Sequence, residues 1–198
     1  TLAVRPTLPS NEQERLQHLR ALGVLDTPPE PMFDALVRQA AALCEAPVAQ
    51  INLVDADRQW TKARHGPARA GGTSREQAMC AHTILQDNLL EVPDASQDPR
   101  FCDLHAVACG HVRFYAGMPL EAAPGIRVGS LCVVDSLPHR LDTQRRTGLR
   151  SLAELASQAL RMRRDLLQQA QAARAHFEQA LADSEARFHA ITEDQTEL

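Results

Sequence analysis

No apolar run in the 198 residues approaches the ~18 needed to span a bilayer, and no secretory leader opens the chain, so neither insertion nor export is expected. There is no basic excess either. Lys and Arg number 21 against 25 Asp and Glu, a net charge of −4, which leaves nucleic acid and anionic membrane surfaces without an electrostatic footing. Common catalytic signatures are missing: there is no P-loop, dinucleotide fingerprint, nucleophile elbow or HExxH pair. Nothing in the chain therefore argues for catalysis. The five cysteines are an odd number in no scaffold-like spacing, which reads as reduced thiols in a cytoplasmic protein rather than a disulfide framework. From Asp142 to Leu198 there is no proline and one glycine, Gly148, so that stretch holds no turn signal.

What remains is an ordinary globular composition, 44% hydrophobic and 23% charged, long enough for one domain and an extra element. The first residue is Thr1 rather than Met, so a piece of a longer protein is expected. Residues 1–10, with Pro6 and Pro9, read as an irregular lead-in. Ser10 or Asn11 caps a helix whose Leu16, Leu19 and Leu22 share a face and which stops at Gly23. Asp26-Thr-Pro-Pro-Glu30 breaks the chain, and a second helix follows from about Pro31 to Cys44 on a 3.6 period of Phe33, Leu36, Val37, Ala40 and Ala41. Pro47–Val54 and Gln59–Arg64 read as paired strands around an Asp-rich turn. Gly66–Thr73 reads as a loop. Ser74-Arg-Glu-Gln77 has capping-box spacing and predicts a helix to about Leu85. Leu89–Val92 is a short strand, and Phe101–Cys109 holds a short helical turn.

His111 to Asp135 is the stretch the domain is organised around. Two extended segments, Val112–Glu121 and Arg127–Val134, flank the turn dipeptide Pro124-Gly125. This predicts a hairpin central in a sheet, punctuated by Ala116, Gly117, Gly129 and Ser130. Glycine inside a strand marks a close approach by a ligand or another backbone.

Residues 143–198 are made of strong helix formers. Apolar positions recur at alternating steps of four and three: Leu149, Ala153, Ala156, Leu160, then Leu167, Ala170, Phe177, Leu181, Phe188 and Ile191. A helix over 143–190 would run about 70 Å at 1.5 Å per residue. The part outside the domain needs a partner, and a parallel homodimer through Leu160, Leu167, Ala170, Phe177, Leu181 and Phe188 is the simplest. The element order predicts an α+β fold: an antiparallel sheet of five to six strands over 11–142 with helices to one side, then the long helix.

The residues Leu22-Gly-Val-Leu-Asp-Thr-Pro28, Val48–Asp55, Arg58-Gln-Trp60, Cys80-Ala-His-Thr-Ile84, Val92-Pro-Asp-Ala95, Asp98-Pro-Arg-Phe101, Val112–Leu120 and Gly129–Asp135 together resemble a GAF sensor domain over about Glu14 to Leu160. They are similar to the subgroup found before PAS, histidine-kinase or diguanylate-cyclase modules in bacteria. Leu181–Ile191 resembles the helix that leads into a PAS domain. The resemblance implies a regulatory module that senses a small molecule, chromophore or partner and signals to an output domain through its terminal helices.

Candidate site residues carry two readings each. Cys80 and His82, two apart on a helix, do not share a face, which suits a buried structural cysteine better than a metal or base pair, although His82 can still line a pocket. In bilin-binding relatives the attachment cysteine is followed directly by His; here Ala81 intervenes. Asp94, Asp98, Arg100 and Phe101 form either a pocket lid for a polar ligand or a locally tied loop. Arg113 and Tyr115 share a strand face and offer an anion donor and a hydroxyl, unless Arg113 is engaged by the loop. Trp60, the lone tryptophan, is a packing anchor or a ligand reporter. Cys132 lies on the second strand of the hairpin. Cys102, His105, Cys109 and His111 are zinc-type ligands in a spacing that fits no standard module. Bilin, haem and zinc are thus each open and none is favoured. A pocket filled by the domain's own side chains, such as Met79, Phe114 and Met118, would instead make a pure interaction module. A free methionine sulfoxide reductase of the same family is the enzymatic alternative; the long tail has no place in it.

Overall fold

The computed structural model describes residues 6–67 and 72–194, with side chains as far as Phe188. Residues 1–5 of the lead-in, 68–71 of the loop after Gly66, and the Ile191 side chain of the helical seam lie outside the described residues.

Two helices open the chain, α1 (Glu12–Ala21) and α2 (Pro31–Cys44). The first ends where Gly23 takes a left-handed φ of 57°. The second begins with Pro at its first position and closes on Glu45 in the left-handed region. Strands β1 (Val48–Val54) and β2 (Arg58–His65) follow as an antiparallel pair. A bulge leaves Lys62 without a partner on β1, and its amine is buried against Thr27 Oγ1 (2.8 Å), the Pro28 carbonyl (2.7 Å) and Glu30 (2.6 Å). This is how the Asp-Thr-Pro segment holds the sheet.

The predicted helix from Ser74 to Leu85 is not formed. That segment is a two-residue strand β3 (Thr73–Ser74), a 3-10 turn (Arg75–Gln77) and the four-residue helix α3 (Cys80–Thr83). Tertiary contacts override the local cap: Ser74 pairs with Arg58, its side chain makes no cap bond, and the Arg75 amide donates to the Asp57 carbonyl at 2.9 Å. Then come β4 (Leu90–Val92), a 3-10 turn at Ala95–Gln97 and the short α4 (His105–Ala108). The hairpin is β5 (Phe114–Ala123) and β6 (Ile126–Asp135), turning on Pro124-Gly125 with Gly125 at φ 75°.

The six strands form one antiparallel sheet in the order β3-β2-β1-β6-β5-β4, so β1 and β6 are central. The α+β class and the strand count match the expectation. Alternate residues of each strand go to opposite faces. Ala49, Ile51 and Leu53 of β1, Phe114, Ala116 and Met118 of β5, and Leu131 and Val133 of β6 join α1 and α2 in the larger core. A smaller core under α3 and α4 takes Val54, Tyr115 and Cys132 with Cys80, Phe101 and Val107.

The last helix, α5 (Thr143–Asp194), is continuous over 52 residues. The chain divides into two units, one ending at Arg161 and one beginning at Met162. In the first, Leu149, Ala153, Ala156 and Leu160 are buried in the larger core. Leu160, expected on the pairing seam, is therefore spent inside the domain, because the heptad pattern runs on without a break from core to tail. In the second unit Leu167, Ala170, Phe177, Leu181 and Phe188 are exposed. Among the described residues no helix is long and apolar enough to cross a membrane.

Candidate functional site

A cluster of buried, mutually bonded polar side chains lies on the sheet face under α3. Asn52 of β1 is buried in a strand that is otherwise apolar on its inner positions. Thr61 donates to its Oδ1 at 2.8 Å, which turns the amide nitrogen toward two sulfurs, Cys80 Sγ at 3.4 Å and Cys132 Sγ at 3.5 Å. Those sulfurs are 4.0 Å apart. Tyr115 Oη donates to Cys80 Sγ at 3.4 Å and shares a 2.6 Å bond with Thr83 Oγ1. Ser130 Oγ is fully buried and makes no well-formed hydrogen bond, although it lies near enough to Cys80 to ease its ionisation.

The charge balance inside this cluster is set by donors. Burial opposes ionisation of Cys80, but hydrogen bonds from Cys132, Ser130, Tyr115 and Asn52 outweigh it and draw the thiol below its ordinary range. Cys132 moves well above that range, because it donates to Cys80, is buried and faces the charge on Cys80. Burial and the same sulfur charges push the Tyr115 phenol well up. The pair thus gives up its first proton from Cys80 and holds its second.

Around this centre His82 meets Phe101 edge-on, ring centroids 4.8 Å apart, and burial with the Arg100 charge holds the imidazole below its ordinary pKa. The Tyr115 ring lies over Gly117: a Cβ there would sit 2.3 Å from Tyr115 Oη and 2.9 Å from Thr83 Oγ1. The close approach marked by that glycine is made by the protein's own tyrosine.

The structure brings Cys80, His82, Phe101, Tyr115 and Cys132 together. It does not bring the other candidates in. Trp60 packs on the opposite face, 5.9 Å from the Lys62 amine. Asp94 caps Ser96 N at 3.0 Å. Arg100 pairs with Asp98 at 2.6 Å, which lowers the Asp98 pKa, and its guanidinium covers the Phe101 ring. Arg113 precedes β5 rather than lying in it, and donates to the Val107 and Val112 carbonyls at 2.6 and 3.2 Å. Its cation is used to hold the α4 loop. Cys109 and His105 sit one helical turn apart, sulfur to ring nitrogen 3.7 Å, but among the described residues no group of three metal-ligating side chains assembles, with Cys102 and His111 placed apart from that pair. All five cysteines are free thiols.

Asn52, Thr83 and Ser130 were missed by sequence reasoning. The signal for Asn52 was present, a polar residue inside Val48–Val54 on the face that Gln50 and Val54 also occupy. Ser130 gave none beyond its small size.

Of proteins with known roles, a cyclic di-GMP phosphodiesterase of Pseudomonas aeruginosa is 37% identical over 134 residues, a match that spans 67% of this chain but 23% of that protein. Among solved structures, the blue-light-absorbing form of the Thermosynechococcus elongatus PixJ GAF domain superposes with a TM-score of 0.57 at 16% identity, over 81% of this chain and 96% of that one. The free methionine-R-sulfoxide reductase of Neisseria meningitidis, solved with its substrate, gives 0.52 at 18% identity over 86% and 99%. At such identities these likenesses establish the fold alone. The family model for the GAF domain matches residues 28–160, well over half the chain, and the chain belongs to the GAF domain family.

Proposed function

We propose that the chain is the sensor module of a bacterial signalling protein acting in the cytoplasm, taking its input on the polar face under α3 and relaying it through α5 to an output domain. One observation carries this. Strand β6 is a single layer between the two cores: Cys132 and Ser130 lie in the polar cluster, while Leu131 and Val133, on its other side, pack in the core that holds Leu149, Ala153 and Leu160 of α5. A displacement at the cluster is felt on the far face through one strand. The likeness to a cyclic di-GMP phosphodiesterase favours cyclic di-GMP turnover as the output, with a histidine kinase as the other candidate. On this reading the chain itself is regulatory and carries no enzyme activity.

The relay requires a second copy. Leu167, Ala170, Phe177, Leu181 and Phe188 keep heptad spacing and are exposed, and Arg163 and Arg174 at seam positions hold the coil near the balance a switch needs. Sedimentation equilibrium should show a dimer, and Phe177→Lys should weaken it by about tenfold or more. A chain that stays monomeric at several hundred micromolar sinks the relay.

A second reading has its own support. Tyr115 and Thr83 fill the space over Gly117 with protein, as in a dimerisation module that takes no ligand. Native mass spectrometry of the purified protein decides between them: a bound small molecule favours a ligand sensor whose tyrosine swings aside. Turnover assays with free methionine sulfoxide and a thiol reductant should remain at background.

A further inference from the structure

We propose that Cys80 and Cys132 form a reversible dithiol–disulfide couple that small hydroperoxides oxidise, so that this face reads oxidant; the signalling consequence rests on its being the input face. The placement is specific. The two sulfurs come from different elements, α3 and the central strand β6, and stand 4.0 Å apart with Asn52 Nδ2 reaching both. Tyr115 Oη supplies a further donor to Cys80, and Ser130 Oγ, wholly buried, is left without a well-formed partner beside them. Donors gathered on a thiol stabilise a thiolate, the nucleophilic form. Cys44 shows what a core cysteine looks like without such a setting: it is buried among aliphatic side chains, and burial raises its thiol to about 11.

The chemistry balances with the hydroperoxide as oxidant. The Cys80 thiolate attacks the terminal peroxide oxygen; a sulfur–oxygen bond forms, the oxygen–oxygen bond breaks, and the departing alkoxide or hydroxide takes up a proton as alcohol or water. Cys80 is then a sulfenic acid. Cys132, giving up its proton, attacks that sulfur; the disulfide forms, the sulfur–oxygen bond breaks, and hydroxide leaves with the released proton as water. Two electrons pass from the sulfurs to the peroxide. A dithiol reductant returns two electrons and two protons by exchange.

Closing the sulfurs from 4.0 Å to the ~2.05 Å of a disulfide takes up about 2 Å, shared between rotation of the two cysteine side chains and displacement of α3, a four-residue helix behind a 3-10 turn. Five residues before Cys80, Arg75 donates to Glu12 of α1 at 2.5 Å, so the covalent state of Cys80 is tied to a terminal helix. Both thiols are nearly inaccessible, at 2% and 1% exposure, so opening of the α3 cover gates the reaction and small peroxides are preferred over bulky ones.

The test is mass mapping of the folded wild-type chain after hydrogen peroxide, alkylation and digestion. A Cys80–Cys132 linked peptide, 2 Da lighter than its parts and released by dithiothreitol, is expected. Cys80 should react at least about tenfold faster than Cys44, as a donor-activated thiolate outpaces an unassisted buried thiol. In Cys132→Ser the oxidation should stop at a Cys80 sulfenic acid that a cyclic dione traps. Oxidation confined to Cys102 and Cys109, or equal rates at Cys80 and Cys44, overturns the couple. Hydrogen exchange along α5 on the same samples separates the two ideas. A cross-link that leaves α5 exchange unchanged keeps the couple and refutes the relay. An α5 that responds to Tyr115→Phe while no cross-link forms refutes the couple alone.

Discussion

The two faces of one sheet are built from alternate residues of the same strands and have opposite chemistry. On the helix side, Ile51, Leu53, Phe114, Leu131 and Val133 meet α1, α2 and the start of α5 in an aliphatic core. On the α3 side, the neighbours of those same residues are Asn52, Tyr115, Ser130 and Cys132, and polar atoms meet each other. Two cysteines measure the difference. Cys44 on the first side is held protonated chiefly by burial, while Cys80 on the second is eased toward the thiolate although burial opposes it. The first face is covered by helices of ten residues or more, the second by α3 and α4, four residues each. The second face is thus held by short elements that are themselves well buried, every residue of α3 included.

The sharpest way to break this division is at the residue that joins the faces. Glu12 of α1 pairs with buried Arg15 at 2.8 Å and with Arg75, ahead of α3, at 2.5 Å. Glu12→Gln leaves two buried guanidinium groups without their counter-charge and should cost about 3–5 kcal/mol in urea unfolding at pH 7. Burial opposes the charge on Glu12, but the hydrogen bonds from Arg15 and Arg75 prevail and lower its pKa from 4.5 to about 2. A lowered folded-state pKa gives stability that is present above 4.5 and lost as pH falls toward 2; unfolding midpoints measured across that window should slope in the wild type and slope less steeply in Glu12→Gln, with Asp26 and Asp98 supplying part of what remains.

Adjacent residues on β6 compare the faces directly. Leu131→Ala should lose about 2–5 kcal/mol, as for other buried leucines. Cys132→Ala should lose about 1 kcal/mol, the worth of one buried hydrogen-bond partner. Equal losses would mean that the α3 side is as tightly built as the helix side. Gly117→Ala puts a methyl against Tyr115 Oη and should cost about 1–3 kcal/mol by overpacking. In a Tyr115→Leu background the same change should cost almost nothing, a non-additivity that calorimetry on the four proteins would reveal. Tyr115→Phe, which removes the bonds to Thr83 and Cys80, should likewise lower stability by only about 1 kcal/mol.

Much of the fold was legible because it follows from periodicity and turn chemistry. Helix α2 begins at Pro31 and ends at Cys44 as its 3.6 period and flanking breaks require, and the hairpin turns on Pro124-Gly125. The segment from Ser74 was misjudged because a capping signal is local, whereas Arg75 answers to Glu12 and Asp57, far away in the chain. The α3 side was half legible. Cys80, His82, Phe101, Tyr115 and Cys132 do converge, whereas Arg113 lies just before β5 and is taken up by the α4 loop, and Trp60 packs on the larger core as an anchor does.

The sequence by itself determined the element order outside Thr73–Thr83, the alternation that splits each strand between two faces, and the long helix without a break, because these depend on residues near one another in the chain. Only the tertiary structure decided that Cys80 and Cys132, 52 residues apart, stand together under Asn52, and that Leu160 is consumed by the core rather than left for a partner. Those outcomes depend on which surfaces meet across the sheet, and no local pattern encodes that.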